Sequence, residues 1–537
     1  GRKQRFAATM GPPLVQVAPM IDVTDVHFRK FMSLFSRRSQ LWTEMVVENA
    51  VRYNLHGPTV RDAIALADIE NPSVCQLGGS DPAALADAAS MVVREWGYRE
   101  INLNVGCPSD RVAGQGCFGA ALMKEPELVR DIVSTISRQV GPEVTVTVKT
   151  RLGVDEFESY DFAKGFVQTV SEGGCRHFII HARKAWLSGL DPHQNRTIPP
   201  LHYDRVYRLA RDFPHIDFTL NGGITSLDMA EDALHGRWRS ATPPPDEEEM
   251  LMQELHKMRG PRPLRGVMMG RAPLNNPCVM ADVDRRFYGE LNPPTTKSRR
   301  VLLEAYLDWV DREYPECLGV YGLHWRVIKP IIGIFAGQSG HRTFRYHIDV
   351  ISRGESDRLS ASEIIRKAMD IVDDHSPHVL DQPIVDPGAP ALPLPLRPTN
   401  GKNRAAQADE WEIDEVAAIL AKGPMKIRRN APDFLSKASQ KKREHERRKM
   451  FREGKLSGLA ETETMQESTV CECVWEIEGE RDFNGESEVR TVGCQFGRPM
   501  SGVDGCGVPG DELDSPASSS SGCGTDTGSG SPPTKAG

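Results

Sequence analysis

At 537 residues the chain is too long for one ordinary domain, and a hydrophobic content of 39% is slightly low for a wholly globular protein, so a polar segment must dilute a normal core. The formal charge of −8 is unevenly spread: residues 456–537 hold 15 acidic and 4 basic side chains, which leaves residues 1–455 with +3. The folded part is therefore mildly basic and able to meet a polyanion, and the overall acidity says little about it.

Of the 11 cysteines, six lie widely spaced in the first 320 residues and five in the polar tail, with no C-x-x-C pair, which argues against a disulfide framework or a zinc site and for a reducing compartment. No apolar run reaches about 18 residues, so no membrane span is expected. The chain starts with Gly, which leaves open a lost transit peptide. The compartment is not fixed by the sequence; cytoplasm is the default, with plastid or mitochondrion the alternatives.

After an N-terminal extension (1–13), short apolar runs recur every 25–45 residues: "LVQVAPM", "LWTEMVV", "SVCQLGG", "EINLNVGCP", "VTVTVKTR", "HFIIHAR", "DFTLNGGI" and "RGVMMGRA". Several are β-branched and nearly continuous, as strands buried on both faces should be. Helical segments such as "DPAALADAASMVVREWG" and "EPELVRDIVSTISRQV" separate them. Eight strand–helix units over residues 14–290 predict an α/β fold, a (β/α)8 TIM barrel. A doubly wound sheet is the competitor, but its G-x-G-x-x-G after the first strand is absent. Residues 235–265, with a proline run and an acidic cluster, read as a surface insertion before the eighth strand. Three-to-four apolar spacing then predicts a small all-helical domain over 291–378. Residues 379–537 read as a Pro-rich linker, a basic run at Lys441–Lys449 and a largely disordered acidic Gly/Ser-rich tail.

The unusual polar residues fall at strand ends, where barrels of this class place their active sites. Pro19 and Met20 close the first strand, Gln76 the third, and Asn104 and Cys107 the fourth. Lys149 and Arg151 close the fifth, His181 and Arg183 the sixth, Asn221, Gly222 and Gly223 the seventh, and Gly270 and Arg271 the eighth. A lone histidine at a strand end is more often a satisfied core residue, and a lone cysteine before proline more often structural. Their joint placement on one rim is harder to dismiss. "NGGI" and "GRA" after the last two strands occupy the usual phosphate-binding position, although two tight turns would read the same. Lys149 and His181 could hold a flavin ring or a substrate carbonyl. The residues alone thus give a barrel that binds a phosphorylated ligand beside a thiol.

With "VAPMIDVTD", "LWTEMV", "QLGGSDP", "INLNVGCPSDRV", "TVKTRLGVD", "HARKAWLSGL", "NRTIPPLHYDRVYRL" and "LNGGI" assembled, the chain resembles the tRNA-dihydrouridine synthases, specifically those acting on uridines 20 and 20a, from about Val15 to Ile348. The resemblance implies an oxidoreductase acting on a CH–CH group. FMN would lie at Pro19, Met20, Gln76, Lys149, His181, Asn221, Gly222, Gly223, Gly270 and Arg271. NADPH would be the reductant and no metal is implied. It makes Cys107 the proton donor and sets Asn104 beside the target uracil, with Arg183 a weaker candidate. It also suggests tRNA contacts at Gln194 and Thr197 and, within "GHRTFRYHI", at Arg342 and Arg345. The partner implied is tRNA through its D-loop, with no membrane and no stable protein partner, the chain acting as a monomer. One departure is Ala121 in "FGAALM", where the family usually has cysteine; Cys117 lies four residues earlier and is assigned to packing.

The chemistry explains the thiol. Reduction of the uracil 5,6-double bond needs a hydride at C6 and a proton at C5, and a thiol with the ordinary pKa of about 8.5 stays mostly protonated near neutrality. A base inside folded tRNA must leave its stack to reach a barrel mouth, which gives an added helical domain a reason to grip RNA shape and phosphates. The alternatives are a catalytically inactive tRNA-binding barrel, an FMN barrel oxidoreductase acting on a small molecule, and a phosphate-binding isomerase or aldolase.

Overall fold

The computed structural model describes residues 12–66, 69–108, 118–237, 245–290, 297–314, 321–355 and 358–384. Cys117, the basic run at 441–449 and the acidic tail lie outside these residues, as do positions 1–11.

Eight parallel strands close into a barrel in sequence order: β1 Val15–Val17, β2 Gln40–Val47, β3 Ser73–Gly78, β4 Glu100–Val105, β5 Thr145–Arg151, β6 His177–His181, β7 Asp217–Asn221 and β8 Gly266–Met269. β1 pairs with β8 to complete the ring. Alternation along each strand sorts side chains into two cores. Val15, Val17, Val267 and Met269 point outward into the large core under the helices. Ala18, Trp42, Val74, Ile179 and Met268 form a separate small cluster inside the barrel. The remaining interior positions are polar, among them Gln16, Asn102, Thr147 and Thr219, all with no exposed surface.

The helices begin and stop where their sequence tells them to. Pro82–Trp96 starts on Asp81, whose carboxylate accepts the Ala84 N–H at 2.7 Å, with Pro82 in its first turn. It ends on Gly97, whose φ of +74° suits the left-handed position that glycine takes without penalty. Residues 235–265 differ from a simple surface insertion, because they contain the helix Pro245–Arg259, which packs along Tyr203–Asp212. Leu251 and Leu255 are its buried positions.

Beyond the barrel come the helices Arg299–Glu313, Tyr321–Ile328, His341–Glu355 and Ala361–His375, the last opened by a capping box between Ser360 and Glu363. They lean on the helix Val26–Ser33, where Tyr306 packs on Phe31 and Trp309 meets His27 edge-on. An ion pair between half-exposed Arg326 and buried Asp62, at 2.8 Å, reinforces the seam. Residues 379–384 belong with these helices, since Leu380 is fully buried and its carbonyl accepts the Arg300 N–H. Among the described residues no helix is long and apolar enough to cross a membrane.

Candidate active site

The C-terminal ends of the strands carry a connected polar rim. Asn104 is the hinge of its fourth-strand part. Its amide oxygen accepts the backbone N–H groups of Gly106 (3.1 Å) and Cys107 (3.0 Å), and its amide nitrogen donates to Gln76 Oε1 at 2.9 Å. Cys107 thus leaves the strand on a tight loop, half-buried, and its carbonyl accepts the N–H of Ala120. Gln76 is placed by an irregularity in β2 between Trp42 and Met45, where Thr43 turns its hydroxyl toward β3 and accepts the Gln76 N–H at 3.0 Å.

The fifth to eighth strands form the opposite side. Lys149 stands beside Asn104 in the ladder, and its ammonium donates to Asn221 Oδ1 at 3.0 Å; Asn221 in turn donates to Met268 O. Burial pulls the Lys149 pKa down to about 7, with Arg151 adding to the shift and Cys107 opposing it. His181 pairs with Arg151 on one side and Asn221 on the other. Burial, then the charges of Arg151, Lys149, Arg183 and Arg196, holds it neutral, well below the usual imidazole range. Gly222 sits at φ +114°, and a Cβ there would come within 2.8 Å of His181 Cδ2, so only glycine lets the turn close over that ring. Gly270 and Arg271 follow β8, with Arg271 exposed at the start of the short helix Arg271–Asn275. Pro19 and Met20 leave β1 half-buried, and the Met20 carbonyl is tied back by the N–H groups of Val23 and Thr24.

Arg151 unites the rim loops. Only 4% exposed, it donates from Nε to Gly106 O (2.9 Å) and from Nη1 to Lys184 O (2.9 Å) and Asn195 O (3.0 Å). It therefore clamps the cysteine loop to two segments of the long loop after β6. Asn195, fully buried, shapes that loop from within by bonding the backbone of Trp186, Leu190 and Asp191. Gln194 accepts the Asp191 N–H, Thr197 donates to His193 O, and Arg183 donates to Pro199 O, so all three lie on this loop. With Arg196 and Arg271, these side chains make the mouth electropositive.

The strand-end residues are thus brought to one rim. Arg342 and Arg345 are elsewhere, exposed on the helix His341–Glu355 with Tyr346 beside them, and neither has an ion-pair partner among the described residues. Two rim organisers, the clamp Arg151 and the loop-former Asn195, were not assigned site roles by sequence. The signal for Arg151 was its place at a strand end two residues after Lys149; nothing in the sequence marks Asn195. Among the described residues no cluster of three metal-ligating side chains occurs.

A lysine and several arginines, backbone turns at Gly222–Gly223 and Gly270, and the amides of Gln76 and Asn221 make a donor set suited to a phosphorylated, carbonyl-rich ring such as FMN. A family model described as dihydrouridine synthase (Dus) matches residues 16–237. The tRNA-dihydrouridine(20/20a) synthase of Shewanella oneidensis is 42% identical over 332 residues, covering 62% of this chain and 87% of that protein. Its counterpart from Escherichia coli K12 is 43% identical over 333 residues (62% and 84%), and that from Pasteurella multocida 40% over 356 residues (66% and 95%).

Proposed function

The chain belongs to the dihydrouridine synthase family, and from that premise we propose that it reduces uridines 20 and 20a in the D-loop of tRNA to dihydrouridine, with FMN bound in the barrel mouth and NADPH as reductant. The observation that carries this reading is the juxtaposition at the mouth. A thiol stands on a clamped loop beside an amide and a set of cations, at the place where the family's sequence features converge.

Lys149, His181, Gln76 and Asn221–Gly223 would hold the FMN ring, Gly270 and Arg271 its phosphate, and Pro19 and Met20 the remaining wall. The chemistry supplied by FMN, when bound and reduced, is a hydride for uracil C6. Cys107 gives its proton to C5, which completes saturation of the double bond and leaves a thiolate. Arg151 and Lys149 are close enough to stabilise that charge in a site partly removed from water. Asn104 has both backbone N–H groups on its oxygen and one amide hydrogen on Gln76, so the hydrogen it has left can only donate. It is matched to a uracil carbonyl and mismatched to the exocyclic amine of cytosine.

The target nucleotide must be extruded to reach this mouth. Arg342 and Arg345, exposed on their helix and without an ion-pair partner among the described residues, are suited to tRNA phosphates, and Gln194 and Thr197 to RNA at the rim. Cys107→Ala tests the assignment of the acid. The variant should purify with as much flavin as the parent and lose at least ~100-fold in dihydrouridine formation, the usual scale for a positioned acid. Near-full activity would move the acid elsewhere, Cys117 being the next candidate.

A further inference from the structure

The polar interior of the barrel is wired in one direction. The Cys107 N–H donates to Asn104 Oδ1 (3.0 Å), the Asn104 amide to Gln76 Oε1 (2.9 Å), and the Gln76 amide to Asn102 Oδ1 (2.8 Å). The Asn102 amide then donates to Thr147 Oγ1 (2.9 Å), and the Thr147 hydroxyl to Glu100 Oε1 (3.0 Å). Every donor in this series points toward Glu100, at the first position of β4, some 13 Å along the strand from Asn104 at about 3.3 Å per residue.

The direction is fixed from both ends. Backbone N–H groups can only donate, so Asn104 must offer them its oxygen and turn its NH2 toward Gln76. At the other end Gln40 donates to Glu100 Oε2 at 2.8 Å and the Thr147 hydroxyl donates to Oε1 at 3.0 Å, so both carboxylate oxygens act as acceptors. Burial raises the Glu100 pKa, and the bonds from Gln40 and Thr147 and the charge of Arg265 oppose that rise. An amide is nearly symmetric in shape. Without an end that enforces polarity, Gln76 and Asn102 could flip and offer the mouth the wrong group.

Resting on the functional reading above, we infer that Glu100 is a remote positioning residue: through Thr147 it sets which way the Asn102 and Gln76 amides face, in match with the orientation that the Gly106 and Cys107 N–H groups impose on Asn104, and so holds the Cys107 loop in its reactive place. Glu100 touches neither the thiol nor the mouth. Its effect is carried by bonds that polarise and orient one another in a low-dielectric interior.

The test compares Thr147→Val, which removes the hydroxyl at nearly constant volume, with Thr147→Ser, which keeps it. Glu100→Gln serves as a second break, since it keeps the volume but can donate where the carboxylate only accepts. Two quantities are read on the full-length protein as purified: peptide-resolved amide hydrogen exchange, and the rate at which unmodified tRNA reoxidises the NADPH-reduced protein in one turnover. Thr147→Val and Glu100→Gln should exchange faster at residues 106–107 and be reoxidised about tenfold more slowly, the effect of ~1.4 kcal/mol of lost orientation. Thr147→Ser should stay within about twofold of the parent. If Thr147→Val does not fold, Glu100→Gln decides alone. Unchanged exchange and rate in the broken variants would overturn the inference. So would equal damage in Thr147→Ser, or exchange rising evenly along β4 and β5. A parent protein indifferent to tRNA would instead sink the functional reading, while the exchange comparison still judged the role of Glu100.

Discussion

Lys149 concentrates the electrostatics of the mouth. Its pKa of about 7 in the folded protein lies far below the ordinary lysine value of 10.5, chiefly because burial disfavours its charge. Between those two values the unfolded chain binds the extra proton and the folded one does not, so this group makes the protein more stable as pH rises from about 7 to 10.5. The stability is fully present above the unfolded pKa and is lost as pH falls through the folded one. Lys149→Met removes that dependence. The melting temperature of ligand-free parent protein, relative to ligand-free Lys149→Met, should climb by at least ~2 °C between pH 7 and pH 10, the equivalent of roughly 1 kcal/mol for a domain of this size. A difference that stays flat with pH would show that Lys149 is not held in its neutral form. An anion bound at the mouth would reverse the preference and recharge the lysine, which is what a ligand-binding cation should do. At this scale the sequence was legible where a residue is both chemically unusual and at a strand end, as Lys149, His181 and Asn104 are. Arg151 and Glu100 escaped assignment because their partners are loop carbonyls and a hydroxyl of a neighbouring strand, all distant in the chain, and local sequence carries no trace of those pairings.

Among the elements, the helix Pro245–Arg259 shows how a local reading can miss a packed piece of structure. The stretch "PDEEEMLMQELHKMR" has acidic residues in its first turn and His256, Lys257 and Arg259 in its last, the arrangement that complements the helix dipole. The adjoining prolines and the acidic cluster drew attention to its surface character, and the buried pair Leu251 and Leu255 is too short a pattern to reveal what it packs against. Its last residue does the joining. Arg259 donates to Ala210 O (2.9 Å), Phe213 O (2.7 Å) and Ile216 O (2.7 Å), capping the C-terminal end of Tyr203–Asp212 just before β7 begins. Arg259→Ala should therefore cost about 1–3 kcal/mol in urea unfolding, the scale for losing charged donors to buried carbonyls. An unchanged midpoint would mean the helix merely lies on the surface. The barrel strands were far easier to read, because continuous β-branched runs at regular spacing admit few other folds, and closure follows once eight are present.

For the whole molecule, charge is placed locally. A chain of net −8 nonetheless gathers Lys149, Arg151, Arg183, Arg196 and Arg271 around one opening, and sets Arg342 and Arg345 exposed on a separate helix, without an ion-pair partner among the described residues. Such a distribution suits a ligand that is anionic over a long span and enters the barrel with only a small part of itself. A free nucleoside could meet the mouth but would leave the helical surface unused. The seam between barrel and helices, closed by Arg326 with Asp62 and by the aromatic contacts of His27 and Phe31, fixes the two surfaces relative to each other, as recognition of a folded RNA requires. The most direct measurement is anaerobic: the purified protein is reduced with NADPH, then mixed with unmodified tRNA or with free uridine while flavin absorbance is followed. The expected result is that tRNA reoxidises the flavin and acquires dihydrouridine at position 20 or 20a, and that free uridine does neither at comparable rates. A protein that carries no flavin, or whose reduced flavin is indifferent to tRNA, would contradict it.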